Sequence, residues 1–414
     1  MTSTTSRSRG ASSARTRSQW LLALLFLAIA LAACNRSPRP LTTDSPVELA
    51  RFTRGNNALA LDLYERARHA PGNVAISPLA ISNALAMLWA GARGETAAQI
   101  QRVLHAEGTA DKALDTAGQI ARNLGDPGRK FTFQAASRLF VEKGRASEPA
   151  QLAQLGTMTE PLDFILASEP SRRHINDWVA GQTQNHIRDL LPAGAVTPLT
   201  TLVVAGALYF HGDWTTRFSA DETRRQPFYR TPTDEKDVPT MHQEGSFRIA
   251  VTDGVGVLEL PYEGGELAMT VVVPWGTEDL AAVEARASPA ALDRWSLALR
   301  PEKTTISLPR FEMNARFPLG ESLKALGMAH AFDHERADFT GIVAKGSSLT
   351  EIYHEVYVKV DEAGTEAAAG TGSSLYKAEP PPFVVDHPFL FFIREVRSGL
   401  ILFMGRVSDP TGGT

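Results

Sequence analysis

The segment TLVVAGALYFHGDW, from Thr201 to Trp214, is apolar on both faces for most of its length. Such a strand cannot lie at an edge or leave one face in water; it belongs at the centre of a sheet covered on both sides. The rest of the chain must therefore supply a wide sheet and the layers that cover it. With 414 residues, 43% of them hydrophobic, the chain has enough apolar material for a large core. Length alone suggests two or three domains. No low-complexity linker interrupts the chain between about residue 48 and residue 410, so one large domain, 48–414, is the better reading.

The elements around that strand follow from periodicity. Residues 48–70 carry apolar positions at helical spacing and read as an amphipathic helix. Asn73 to Ser77 is a short apolar strand, and Ser77-Pro78 opens a helix, ISNALAMLWAGA, that is apolar almost all round and should be buried. Another helix, AAQIQRVL, follows Gly94-Glu95-Thr96. Residues 131–142 read as a strand, 175–191 as a helix, and VLELPY with LAMTVVVP as a hairpin. TTISLPRFEMNA reads as one strand, LGESLKALGM as a short helix, and the chain from Glu351 onward as mostly strand. Helices dominate early and strands late, without βαβ alternation, so the class is α+β.

Between two of the late strand segments lies DEAGTEAAAGTGSSLYKA, residues 361–378. From Ala363 to Ser374 it has no Pro, no aromatic or large aliphatic residue, and one charge, Glu366. The alternate residues Thr365, Ala367, Ala369 and Thr371 are small and uncharged, so as a strand the segment could lay one face against a core. Taken alone, its composition reads first as a flexible surface linker.

The N-terminus stands apart from the fold. Arg7, Arg9, Arg15 and Arg17 precede an apolar run from Trp20 to Ala33, which is followed by Cys34. Basic region, short apolar run and small residues make a secretory signal over 1–33. The run is short for a spanning helix, which needs about 20 residues. Leu31-Ala32-Ala33-Cys34 also resembles the lipobox of bacterial lipoproteins, in which the Cys carries palmitate-type acyl chains and becomes the mature N-terminus; the alternative is an ordinary signal peptide with an incidental Cys. Cys34 is the only cysteine, so it has no disulfide partner within the chain. The polar, Pro-rich stretch after it makes 34–47 a tether. Removing 1–33 leaves 38 basic against 46 acidic residues, with no basic cluster, and no nucleic-acid partner is expected.

Enzymatic chemistry finds little footing. There is no G-x-S-x-G elbow, and the lone Cys belongs to the tether, which excludes a Cys–His dyad. His330 and His334 have i, i+4 spacing but lack the Glu of H-E-x-x-H, so two solvated histidines are expected there and no metal. Phosphate-binding Gly-rich loops are absent, and no cofactor is implied.

Several segments together resemble the serpin family: NVAISPLAISNALAMLWAGARGETAAQI, TLVVAGALYFHGDWTTRF, SLPRFEM, the run to Ile342 containing ADFTGI, FVVDHPFLFFI, and the ending LFMGRVSDP. Their joint order covers about 48–410. The resemblance implies an α+β fold of three β-sheets with eight or nine helices and an exposed reactive-centre loop. A target protease attacks that loop through its own nucleophile and forms an acyl-enzyme. The cleaved loop then enters the main sheet as a new strand and distorts the protease, so the native state is a kinetic trap.

Carried onto this chain, the resemblance makes Glu362 the end of the preceding strand and 363–371 the hinge: Gly364, Thr365, Glu366, Ala367, Ala368, Ala369, Gly370 and Thr371. Inhibitory members need small inward residues there. Counting 16 residues forward from Glu362 puts the residue before the cut at Ala378, whereas counting 11 back from Pro388 puts it at Lys377. Lys377–Ala378 is the expected reactive bond, with Tyr376 as runner-up. A polar cluster that controls sheet opening is expected at Ser77 and His354, with Trp214 at the strand end. Two of the cluster's usual members are replaced, by Ala80 and Gly206, which leaves His354 without its usual partner.

The leading expectation is a monomeric, lipid-anchored inhibitor of serine (or cysteine) proteases that forms a covalent acyl complex. Asn35 after the lipidated Cys favours the outer membrane. The competing expectations are a non-inhibitory member that binds a ligand or partner, and an enzyme with an unrecognised site.

Overall fold

Ser45 and Pro46 start the first helix, Pro46–Ala67. The Ser45 hydroxyl accepts the Glu48 N–H at 3.3 Å, and Pro46 stands where a missing N–H costs nothing. Ser77 and Pro78 repeat the device for the helix Pro78–Gly91, every residue of which is buried. Gly94–Val103, Ala110–Leu124, Ser168–Gln182, Leu280–Arg286, Pro289–Ala298 and Leu319–Ala325 bring the count to eight α-helices among the described residues. The computed structural model describes residues 39–146, 155–362 and 381–412, and those from Pro40 onward form one compact unit.

Fourteen strands run in chain order as β1 (Val74–Ile76), β2 (Phe131–Glu142), β3 (Thr159–Leu162), β4 (Leu202–Gly212), β5 (Arg224–Thr231), β6 (Asp234–Thr252), β7 (Val255–Pro261), β8 (Leu267–Pro274), β9 (Arg300–Pro309), β10 (Phe311–Pro318), β11 (Ile352–Val360), β12 (Phe383–Val384), β13 (Phe389–Glu395) and β14 (Ile401–Val407). A five-stranded sheet has the order β10-β11-β4-β2-β3. The other has the order β1-β14-β13-β8-β7-β6-β9-β12, with β5 on β6. Two of the three expected sheets are thus joined by hydrogen bonding, because β6 pairs with β5 through its first half and with β7 through its last residues.

The strand apolar on both faces is β4, central in its sheet and buried from Leu202 to Phe210. Its alternation of faces decides what it touches. Val203, Ala205 and Ala207 cluster with Ile175 and Val179 of the helix Ser168–Gln182. On the opposite face, Val204 joins the cluster of Ala84 and Leu88, and Leu208 and Phe210 join that of Leu79 and Ala80, all from the helix Pro78–Gly91. One strand therefore carries two helical layers.

Two elements differ from the periodicity reading. The helix expected over 175–191 instead spans Ser168–Gln182. Gln184 and Asn185 take positive φ of 50° and 63°, a left-handed turn that ends it. The single strand expected over 304–315 is two, β9 and β10, which part at Pro309–Arg310 and enter different sheets. Arg310 N–H leaves the ladder to reach the Pro239 carbonyl at 2.9 Å.

Candidate functional site

β11 lies parallel to β4, in register from Ile352↔Val204 to Tyr357↔Tyr209. Beyond that pair, Val358 to Val360 bond only β10 and Phe210 to Gly212 bond only β2. The seam is therefore already parted at the end where the chain leaves β11. A strand that doubled back after Asp361 would run antiparallel to β11 and to β4 alike. Inserting it would replace one parallel pairing with two antiparallel ones, which are slightly more stable per residue. Topology singles out this seam as the place where the following segment could be accepted.

The chain is held where it leaves β11. Trp214 Nε1 donates to the Asp361 carbonyl at 2.9 Å, and its ring stacks on Tyr262 with centroids 4.5 Å apart. Glu362 follows with both carboxylate oxygens engaged: Oε1 accepts the Thr223 hydroxyl at 2.5 Å and Oε2 lies 3.3 Å from Arg310 Nε. Asp361 also pairs with Lys359 Nζ at 2.7 Å. Of these, only Trp214 and Glu362 were expected from sequence. Thr223 is 139 positions from Glu362 and carries no motif, so nothing local could have flagged it.

Beneath the seam sits His354, fully buried and register partner of Gly206. Its Nε2 accepts the main-chain N–H of Ser77 at 3.0 Å. A hydrogen bond to the Gly206 backbone favours protonation, but burial is the larger influence and pushes the imidazole down to about 4, so the ring is neutral. The Ser77 hydroxyl donates to the Leu402 carbonyl at 2.8 Å and accepts the Ala80 N–H at 3.2 Å. His354 is without its usual side-chain partners, as Ala80 and Gly206 imply, and two backbone groups, of Ser77 and Gly206, satisfy it in their place. Gly206 leaves no strained gap either, since a Cβ there would sit 3.8 Å from both the Ala80 carbonyl and the Ala84 methyl.

At the far side of 363–380 the chain is caught again. Thr304 Oγ1 donates to the Pro381 carbonyl at 3.1 Å, β12 pairs with β9, and Tyr229 N–H reaches the Asp386 carbonyl at 2.7 Å. The hinge residues Gly364 to Thr371, the bond Lys377–Ala378 with Tyr376, and Cys34 lie outside the described residues. Among the described residues, no group of three or more His, Cys, Asp or Glu is placed to hold a metal ion.

Comparison with known proteins agrees in kind. The family model described as Serpin (serine protease inhibitor) matches residues 54–410. The human leukocyte elastase inhibitor is 35% identical over 87% of this chain and 100% of its own length. Uncleaved ovalbumin superposes with a TM-score of 0.79 at 28% identity, covering 87% of this chain and 100% of that one. Human thyroxine-binding globulin, solved with its hormone, superposes with a TM-score of 0.78 at 27% identity, covering 88% and 100%.

Proposed function

The chain belongs to the serpin family, which contains protease inhibitors and also members that do not inhibit, and from that premise we propose that it is a conformational trap for serine proteases. The observation that carries the reading is a conjunction. The seam between β4 and β11 is parted at the end where the chain departs, and the departing residues Thr365, Ala367, Ala369 and Thr371 are all small. A protease serine Oγ attacks the carbonyl carbon of Lys377, and the C–N bond to Ala378 breaks. The lysyl carbonyl stays esterified to the enzyme while the new amine of Ala378 leaves with one proton. Before water hydrolyses the ester, 363–371 enters the seam and carries the acyl-enzyme along. Lys377 suits a pocket with a buried acid, and so a trypsin-like target; Tyr376 suits a chymotrypsin-like or subtilisin-like one.

The proposal extends to the chain's place in the cell. Cys34 anchors a monomer by lipid to the outer membrane, with 34–47 as tether, and Cys34→Ser should abolish incorporation of labelled fatty acid and recovery in the outer-membrane fraction. Incubation with trypsin, elastase and subtilisin tests the central claim. A complex stable in SDS with cleavage within 375–379 supports it, and clean turnover of the loop without complex refutes it.

One observation favours a second reading, a ligand carrier. A cavity of about 510 Å³ lies between the helices Pro46–Ala67 and Pro289–Ala298 and strands β8 and β13. Thr53 Oγ1 and Trp295 Nε1, both on its lining residues, are buried without hydrogen-bond partners. A carrier would show no gain in thermal stability after loop cleavage, since no strand would insert.

A further inference from the structure

We propose that His186 is a clasp across the seam between β4 and β11, and that releasing its ring from Tyr209 and Tyr357 is a step in strand insertion. The inference rests on the trapping reading above and identifies a residue that governs its rate.

Tyr209 and Tyr357 are register partners and form the last pair before the seam parts. The His186 imidazole stacks with both. Its centroid lies 5.0 Å from Tyr209 with the planes 10° apart, and 4.2 Å from Tyr357 with the planes 23° apart. One ring from outside the sheet thus spans the two strands at the pair that must separate first.

The ring is presented by a firm arm. The left-handed turn at Gln184 and Asn185 ends the preceding helix, and His186 N–H reaches the Thr183 carbonyl at 2.9 Å. The Thr183 hydroxyl accepts the Ile187 N–H at 3.2 Å. A few residues on, Asn176 grips Leu191 through two bonds of 2.9 and 3.0 Å. Ile187 and Leu191 are themselves fully buried. On the sheet side, Tyr357 is tied to β10 through its hydroxyl, which donates to Glu312 Oε1 at 2.9 Å.

Accepting a strand widens the distance between β4 and β11 by about 4.8 Å. His186 cannot keep both stacks through that change while its arm stays docked. The contact therefore belongs to the closed sheet and is lost on the way to insertion. It raises the barrier, which a kinetic trap requires, without touching the loop. The surroundings of the ring also favour its neutral form. Burial is the largest influence, and Lys359, His211 and Arg188 act the same way against Glu312. A proton on His186 is thus easier to accept once the clasp is open, so acid should loosen it.

The test follows uptake of a synthetic peptide, AGTEAAAGTGSSLY (residues 363–376), by the intact protein, read as the appearance of a heat-resistant species. His186→Ala should take up peptide about tenfold faster than wild type, the rate equivalent of losing one good aromatic stack. His186→Phe keeps a stacking ring and should return to within about twofold of wild type. Tyr357→Leu, which keeps apolar bulk, should resemble His186→Ala and serves if that variant folds poorly. Uptake by wild type should accelerate as pH falls below 6.5 more steeply than uptake by His186→Phe, whose ring cannot titrate. Equal rates for wild type and both stack-deleting variants, or His186→Phe as fast as His186→Ala, would overturn the clasp while leaving the trap intact. A wild type that takes up no peptide and gains no heat resistance on loop cleavage would overturn the trap, and the clasp with it.

Discussion

The main-chain N–H of Ser77 donates to Nε2 of His354 at 3.0 Å, so the neutral imidazole must carry its proton on Nδ1. The Ser77 hydroxyl meanwhile binds the Leu402 carbonyl of β14 and caps the helix Pro78–Gly91 through the Ala80 N–H. A single serine therefore ties β11 of one sheet to β14 of the other and to the helix between them. Anything that drives β11 away from β4 must work against this junction.

Acid should break it. Protonation at Nε2 removes the acceptor for Ser77 N–H and places a charge in a fully buried site. Burial lowers His354 from 6.5 to about 4 in the closed protein. This contribution to stability is therefore complete above about pH 6.5 and declines as pH falls toward 4, by about 3 kcal/mol in all. Thermal unfolding across that range should show wild type losing stability faster than His354→Asn, since other groups titrate equally in both. Parallel curves would contradict the assignment.

Gly206 offers the opposite change. It is a strand-interior glycine in β4, and an added methyl would meet only ordinary contacts at 3.8 Å. Gly206→Ala should stabilise the closed protein by about 0.5–1 kcal/mol through the lost freedom of the unfolded chain. A rise in melting temperature with slower peptide uptake is the expected result.

Trp214→Phe deletes one hydrogen-bond donor and leaves a ring for Tyr262 to stack on. The bond from Nε1 to the Asp361 carbonyl is lost, worth about 1 kcal/mol. Because that bond pins the last turn before the hinge, the variant should insert strand faster and unfold at lower temperature. Hydrogen exchange at the end of β11 would report the loosening directly, and unchanged protection there would count against it.

The strands at the seam were readable from sequence because burial on both faces leaves an unambiguous apolar run, as in Leu202 to Phe210. The strand over 131–142 was equally plain and has those bounds in the structure. The break at Pro309 was not readable: both flanks alternate as strands should, and only the tertiary fold sends them to different sheets. Ser77 and His354 were expected together from the resemblance, but not the groups that join them: the partners of the ring are the backbone of Ser77 and of Gly206, and a backbone N–H or carbonyl has no letter in the sequence. His186 escaped because its tyrosines lie far away in the chain and meet only through the register of two parallel strands.

The small hinge makes the sharpest demand. On the trapping reading Thr365 turns inward as the segment enters between β4 and β11. The layer it meets there is apolar, with the register partners Leu208 and Val356 fully buried. Thr365→Arg would carry a guanidinium into that apolar layer, at a cost of several kcal/mol. The bond after Lys377 is chemically untouched by the change, so the protease still forms its acyl-enzyme there, and mass spectrometry of the fragments separates that cut from one at the new arginine. Insertion then loses the race against hydrolysis of the ester. Incubation with trypsin should accordingly yield cleaved protein in place of complex, with the yield of SDS-stable product down by at least about tenfold. Thr365→Ser, small and neutral, should behave as wild type. If the arginine variant traps protease as efficiently as wild type, the residue does not enter the core and the hinge has been placed wrongly.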